Sequence, residues 1–195
     1  MLRRAQPGWI YAAIRGFPDR LRHLKRHRAV ASRLSRMPRP QTILVICSGN
    51  VCRSPYLEAV LRRALPDIRI SSAGFVGRGL KVPEFSLAIS AQRGIDLSTF
   101  RSRLFTPREA RDADLVVVMD ALQARHLELY AGVRSDRIVV AGDLDPLLPS
   151  TRAIQDPWQQ PLPAFVESFD RLDRCGASLT RMLGPQPDDP PTVQT

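Results

Sequence analysis

Short runs of consecutive apolar, often β-branched residues alternate along this chain with stretches whose apolar positions recur every three or four residues. The first kind reads as buried parallel strands, the second as helices with one face against a core. Ile43-Leu44-Val45-Ile46 opens the series, giving a strand over 42–46. Further strands are expected at about 68–72 (IRISS), at 114–119 (DLVVVM) and at 137–140 (RIVV). Between them the pattern predicts helices at about 55–64, ending before Pro66, and at 84–93, stopped by Gly94. Thr106-Pro107-Arg108-Glu109 opens a short helix with Thr106 as its cap, and another runs over about 121–130. Phe165, Phe169, Leu172, Leu179 and Met182 mark the last helix, stopped at Gly184-Pro185. Strands that alternate with helices give an α/β fold, an open four-stranded parallel sheet with helices on both faces. Such folds place ligands at the C-terminal edge of the sheet.

At that edge, directly after the first strand, stands the segment Cys47-Ser48-Gly49-Asn50-Val51-Cys52-Arg53-Ser54-Pro55. Small polar residues suit a tight turn, and Ser54-Pro55 reads as a helix start with Ser54 as N-cap. Successive backbone N–H groups in a short loop, followed by a helix N-terminus, converge partial positive charge on one spot. Arg53 adds a planar fork that matches two phosphate oxygens. A cysteine placed in such a field is a ready nucleophile. The loop therefore reads as a phosphate cradle above the Cys47 sulfur, arranged for phosphoryl transfer to that sulfur. A lone buried cysteine at a strand end is usually only a small apolar residue; Arg53 and Ser54 at this spacing set Cys47 apart.

The segment VICSGNVCRSP resembles the active-site loop of the low-molecular-weight protein tyrosine phosphatases, patterned V-C-x-G-N-x-C-R-S-P. That family pairs the loop with a later Asp-Pro-aromatic motif, supplied here by Asp156-Pro157-Trp158. The resemblance covers about residues 42–184. It implies a flavodoxin- or Rossmann-like sheet of the phosphotyrosine phosphatase I type. It also implies hydrolysis of protein phosphotyrosine through a phosphocysteine, without metal or cofactor. Cys47 is then the nucleophile, Arg53 the phosphate clamp and Asp156 the general acid. Ser48, Gly49, Asn50, Val51, Cys52 and Ser54 would bind the phosphate, with Ser54 also bonded to the Cys47 sulfur, and Trp158 would wall the substrate ring. Asp145-Pro146 lacks a following aromatic residue and is set aside as a decoy.

By the same resemblance Ser72 supports Asn50, and Cys52 traps an oxidised Cys47 as a disulfide. The chain departs from the family at Phe100, where a histidine often bonds the loop asparagine, and at Gln159, where a second aromatic often follows the first. Phe100 is expected to leave the loop less rigid and keeps open a catalytically weak phosphoprotein-binding module. Two further alternatives share the fold. Arsenate reductases need a later cysteine pair, whereas only Cys175 follows Cys52; arginine phosphatases are thought to carry threonine where this chain has Val51. The implied partner is a phosphotyrosine protein such as a bacterial tyrosine kinase of a polysaccharide-export system.

Composition changes this picture at the N-terminus. The first forty residues hold eleven Arg and Lys against one acid, Asp19, and so carry the whole net charge of +10; the rest balances at eighteen of each sign. The chain thus divides into a basic extension over 1–40, a phosphatase domain over 41–184 and a Pro- and Asp-rich tail over 185–195. Within the extension Gly16-Phe17-Pro18 reads as a break, followed by a helix from Asp19 to about Arg36 with Leu21, Leu24, Val30 or Ala31 and Leu34 on one face. A basic amphipathic segment of this kind can rest on an anionic membrane surface. A flexible or lightly helical arm with no part in the chemistry is nevertheless the expectation, with a targeting segment and a start at Met37 as further alternatives; a nucleic-acid role is disfavoured, because no recognition motif accompanies the charge. No apolar run reaches bilayer length, and three cysteines make no disulfide framework, which suits the cytoplasm. The three histidines read as surface or helix-face residues without metal spacing.

Overall fold

The computed structural model describes residues 8–149 and 151–184, with side chains from Leu21 onward. Its elements, in order, are helix α1 (Gly8–Leu34), strand β1 (Thr42–Cys47), α2 (Arg53–Ala64), β2 (Arg69–Gly74), α3 (Glu84–Gln92), α4 (Pro107–Asp112), β3 (Leu115–Val118), α5 (Ala121–His126), β4 (Ile138–Val140) and α6 (Leu162–Leu183). The strands pair in the order β2-β1-β3-β4, all parallel, with Val45 opposite Ser72 on one side and Val117 on the other. This is the expected open α/β sheet. β1 sits where the strand order reverses, so its C-terminal end opens into the crevice between outgoing connections.

Alternation along buried strands divides the core into two layers. Ile43, Val45, Cys47, Leu115, Val117 and Val139 face α2, α3 and α6, where Leu57, Leu61, Phe169, Leu172 and Leu179 meet them. Leu44, Ile46, Val116, Val118, Ile138 and Val140 face α4 and α5 against Ala110, Leu127 and Ala131. Both faces of the central strands are covered, which is why they read as unbroken apolar runs rather than alternating ones.

Element ends follow local chemistry. Thr106 Oγ1 accepts from Glu109 N at 3.1 Å, capping α4 as expected. Asp120 caps α5 through Gln123 N. α5 closes in a wider turn over Leu127–Ala131 that Gly132 ends at φ 68°.

The N-terminal segment departs most from expectation. α1 runs without a break through Gly16-Phe17-Pro18, and only the later half of the expected apolar face docks. Leu21 and Leu24 are exposed, whereas His23, Val30 and Leu34 are buried. His23 is only 2% exposed, so of the two places the sequence suggests it takes the helix face and not the surface. Val30 and Leu34 dock in the main core cluster as expected, while His23, Arg26 and His27 meet the domain through polar contacts that leave no apolar signal. Residues 1–7 and the expected tail over 185–195 lie outside the described residues. Among the described residues no helix is long and apolar enough to cross a membrane.

Candidate active site

The loop from Cys47 to Arg53 joins the end of β1 to α2 at the sheet's switch point. α2 starts at Arg53, with Cys52 in the cap position, so Ser54 lies inside the first turn and does not cap it. Its hydroxyl is committed elsewhere. Asn50 Nδ2 donates to Ser54 Oγ at 2.9 Å, and Ser54 Oγ stands 3.1 Å from Cys47 Sγ. The one hydroxyl proton of Ser54 has the Cys47 sulfur and, at 3.4 Å, the Ala73 carbonyl as acceptors.

Asn50 organises the loop. It adopts the left-handed conformation at φ 51°, which asparagine tolerates better than most residues. Its side chain is saturated: Nδ2 donates to Ser54 Oγ and to Ser72 Oγ (2.8 Å), and Oδ1 accepts from Arg103 N at 2.9 Å. Ser72 Oγ in turn donates to Glu58 Oε2 at 2.6 Å. Arg103 N therefore serves the loop asparagine, and Phe100 instead packs against the main core cluster. The expected loss of loop rigidity at Phe100 has no counterpart in an unmet hydrogen bond on Asn50.

The loop's carbonyl side is also tied down. Ser48 O accepts from Phe75 N at 2.8 Å and Val76 N at 3.0 Å. Gly74 lies beneath this contact: a Cβ there would stand 2.8 Å from Ser48 O and 2.9 Å from Asn50 N, so no side chain fits. Gln123, from the start of α5, reaches Ser48 Oγ at 3.5 Å and accepts from Met119 N at 2.9 Å.

Arg53 is 3% exposed. Its Nη1 donates to Ile154 O at 3.0 Å and its Nη2 reaches Ser48 Oγ at 3.3 Å and the carboxylate of Asp156. Nε is buried with no partner. A buried donor left open on a fixed guanidinium is costly unless an acceptor takes it. Asp156 also accepts from Trp158 N at 3.2 Å. The structure thus brings Asp156 from the long loop before α6 to the anion loop, over a hundred residues away in sequence.

Trp158 is half-exposed and lines a shallow apolar cleft with Pro83, Phe85 and Phe165. Val51 and Cys52 are buried in the core beneath the loop, and Ser48 and Gly49 are half-buried at its mouth. Burial pushes the Cys52 thiol up to about 12, with the nearby Cys47 adding to it and a Ser86 hydroxyl contact working against it, so Cys52 stays a thiol at neutral pH. Cys175 is in the core, raised to about 12 by burial, as its mid-helix position suggests. Asp145, set aside in the sequence, is fully buried between Arg171 (3.2 Å) and Arg174 (3.0 Å). Its role is in the scaffold. Glu58, Arg103 N and Gln123 are the contributors that sequence reasoning missed. Only Glu58 left a trace, as an acid on the inner turn of an otherwise apolar helix face.

A doubly wound parallel sheet with a cysteine and a buried arginine on an anion loop at its switch point defines a class, the α/β phosphatases. Within it, the chain belongs to the low molecular weight phosphotyrosine protein phosphatase family, whose model matches residues 42–186. It is 32% identical over 135 residues, 69% of this chain and 90% of the relative, to the probable low molecular weight protein-tyrosine-phosphatase EpsP of Ralstonia nicotianae. It is 30% identical to Etp of Escherichia coli K12, over 73% of this chain and 94% of that one. Its fold superposes on the tyrosine phosphatase Wzb of Escherichia coli K30 in complex with sulphate with a TM-score of 0.69 and 29% identity, covering 74% of this chain and 99% of that chain. An arginine phosphatase from Geobacillus stearothermophilus, 24% identical, shares the fold with a TM-score of 0.62. The chain is accordingly an enzyme of the protein-tyrosine-phosphatase type.

Proposed function

We propose that this protein hydrolyses phosphotyrosine in proteins through a phosphocysteine on Cys47. The observation that carries the reading is Arg53: a buried guanidinium on the loop that starts at Cys47, paired with the Asp156 carboxylate, and holding an unpartnered Nε. A phosphate ester entering the loop takes the loop N–H groups, the helix N-terminus of α2 and the Arg53 fork. It competes with Asp156 for the same guanidinium, which leaves the acid beside the ester oxygen.

Cys47 Sγ then attacks phosphorus. The S–P bond forms as the P–O bond to tyrosine breaks, and Asp156, released from Arg53 and protonated from solvent, gives that proton to the departing phenol oxygen. In the second half, water attacks phosphorus and gives its proton to Asp156, and the S–P bond breaks. The Ser54 hydroxyl stabilises the departing thiolate, and phosphate leaves. Charge on the transferring group is met by Arg53 and the loop amides, so the scheme assigns no step to a metal.

Trp158 and Phe85 offer an aromatic flank suited to a planar phenyl ring, and Val51 is an apolar residue at the loop. Relatives named for tyrosine phosphatases support a phosphotyrosine substrate, and a bacterial tyrosine kinase is the proposed physiological one. Phosphate release from matched phosphotyrosyl, phosphoseryl and phosphoarginyl peptides tests this. Preference for the first by two orders of magnitude is expected, about the discrimination that a shaped pocket gives. Equal or greater turnover of phosphoarginine would overturn the substrate assignment.

A further inference from the structure

The family match begins at residue 42, so α1 is an addition to the shared domain. Its contacts are concentrated on one place, the short turn Ala141–Leu144 and Asp145 that follow β4. His23 Nε2 donates to Asp145 O and His27 Nδ1 to Asp143 O, each at 2.9 Å, and Arg26 Nε donates to Asp143 Oδ1 at 3.0 Å. Arg33 adds a clasp at the sheet edge, donating to Ser135 O at 3.0 Å and to Ile138 O at 2.8 Å.

The same Asp143 carboxylate is gripped from its other side by Arg152. Nε lies 2.9 Å from Oδ1, and Nη2 lies 2.6 Å from Oδ2. Asp143 is 2% exposed, so this is a buried anion shared by two guanidiniums, one from α1 and one from the segment that carries Asp156. The backbones meet here as well. A Cβ on Gly142 would stand 1.8 Å from Arg152 O, and only glycine fits. Two residues on, Ile154 N donates to Met119 O at 2.9 Å and Ile154 O accepts from Arg53 Nη1 at 3.0 Å; two more reach Asp156.

We propose that α1 is a strap for the acid: Arg26 and His27 are positioning residues that, through Asp143 and Arg152, set where Asp156 stands over the anion loop. The inference rests on Asp156 being the general acid. It follows that the N-terminal extension has a part in the chemistry, against the expectation that it has none. A carboxylate must stand within hydrogen-bond reach of the leaving oxygen, and small misplacements of a catalytic group are expensive in rate.

The full chain is assayed as wild type, Arg26→Gln/His27→Ala and Arg152→Gln, each also combined with Asp156→Asn. Arg26 and Arg152 are partly exposed, and either change leaves Asp143 one arginine, so the variants keep a partner for the buried anion. Thermal melting confirms the fold, and kcat/KM is measured for aryl phosphates of graded leaving-group basicity. The strap predicts a loss of about tenfold on phenyl phosphate and less than about twofold on dinitrophenyl phosphate, with no further loss in the Asp156→Asn background. A purely structural α1 would give equal losses across leaving groups that persist when Asp156 is already gone; that result, or no loss at all, overturns the proposal. If Asp156→Asn itself shows no dependence on leaving group, it is the acid assignment that fails.

Discussion

Ser54→Ala removes one oxygen and with it the contacts to Cys47 and Asn50. Ser54 Oγ is fully buried, donates to Cys47 Sγ at 3.1 Å and accepts from Asn50 Nδ2 at 2.9 Å. A hydrogen bond to a charged group contributes about 1.5–3 kcal/mol. The thiolate that leaves phosphorus in the second half of the reaction would lose that amount. At about 1.36 kcal/mol per tenfold, breakdown of the phosphocysteine slows by about 10- to 150-fold. Formation of the intermediate is slowed less, because in that step the sulfur gives up charge rather than gaining it. Stopped-flow assay with para-nitrophenyl phosphate therefore shows a burst of nitrophenol close to one per enzyme, followed by a slow steady state. Asn50 Nδ2 also loses an acceptor, costing about 1–3 kcal/mol of stability, read separately by urea unfolding. A steady-state rate within twofold of wild type and no burst would refute a role for the Ser54 hydroxyl in the departure of the thiolate.

Other consequences concern the scaffold and the surface. Asp145→Ala leaves the buried Arg171 guanidinium without its carboxylate and is expected to destabilise the fold by about 3–5 kcal/mol, measured by denaturant unfolding. Burial alone would push the Asp145 carboxyl up, but Arg174, the Leu147 N–H and Arg171 overcome it and hold it below the ordinary range. Asp114 is likewise burdened by burial and held low by Thr42 and the N–H groups of Gln41 and Thr42. With folded values below unfolded ones, the unfolded chain binds more protons in acid. Stability is thus full above about pH 5 and falls below about pH 4, more steeply in wild type than in Asp145→Ala; a flat profile would contradict this. Leu21 and Leu24 are exposed on α1 away from His23 and Val30, within the segment that carries the net charge. Co-sedimentation with anionic vesicles, absent with neutral ones and lost from a chain that begins at Met37, is the outcome expected if this face meets a membrane surface; equal sedimentation with both vesicle types removes that role.

The sheet and the anion loop were legible because both are local. Four apolar runs, each bounded by turn residues, set the strands, and the Cys47-to-Arg53 spacing set the loop between strand and helix. What escaped was carried by long-range polar contacts. Asn50 finds its acceptor's partner in the Arg103 backbone, which no side-chain pattern can announce. Ser-Pro chemistry suggests Ser54 as the cap, yet the helix starts two residues earlier, with Cys52 in the cap position and Arg53 as its first residue. The docked face of α1 joins Val30 and Leu34 to His23, Arg26 and His27, residues that an apolar count assigns to solvent. His23 is buried and Arg26 and His27 half-buried against a carbonyl-rich turn and the Asp143 carboxylate. Glycine at 142 had no distinguishing neighbour in sequence, and its need appears only where the Arg152 carbonyl crosses it.

The central claim is that Cys47 is the nucleophile of an aryl phosphatase. Hydrolysis of para-nitrophenyl phosphate by wild type and Cys47→Ser, with chelator present and folding matched by circular dichroism, tests it most directly. The account predicts turnover in wild type at pH 5 to 7 and a loss of at least about a thousandfold in the variant, because a serine hydroxyl is far less ionised than a thiol. Turnover in Cys47→Ser within about tenfold of wild type would contradict it.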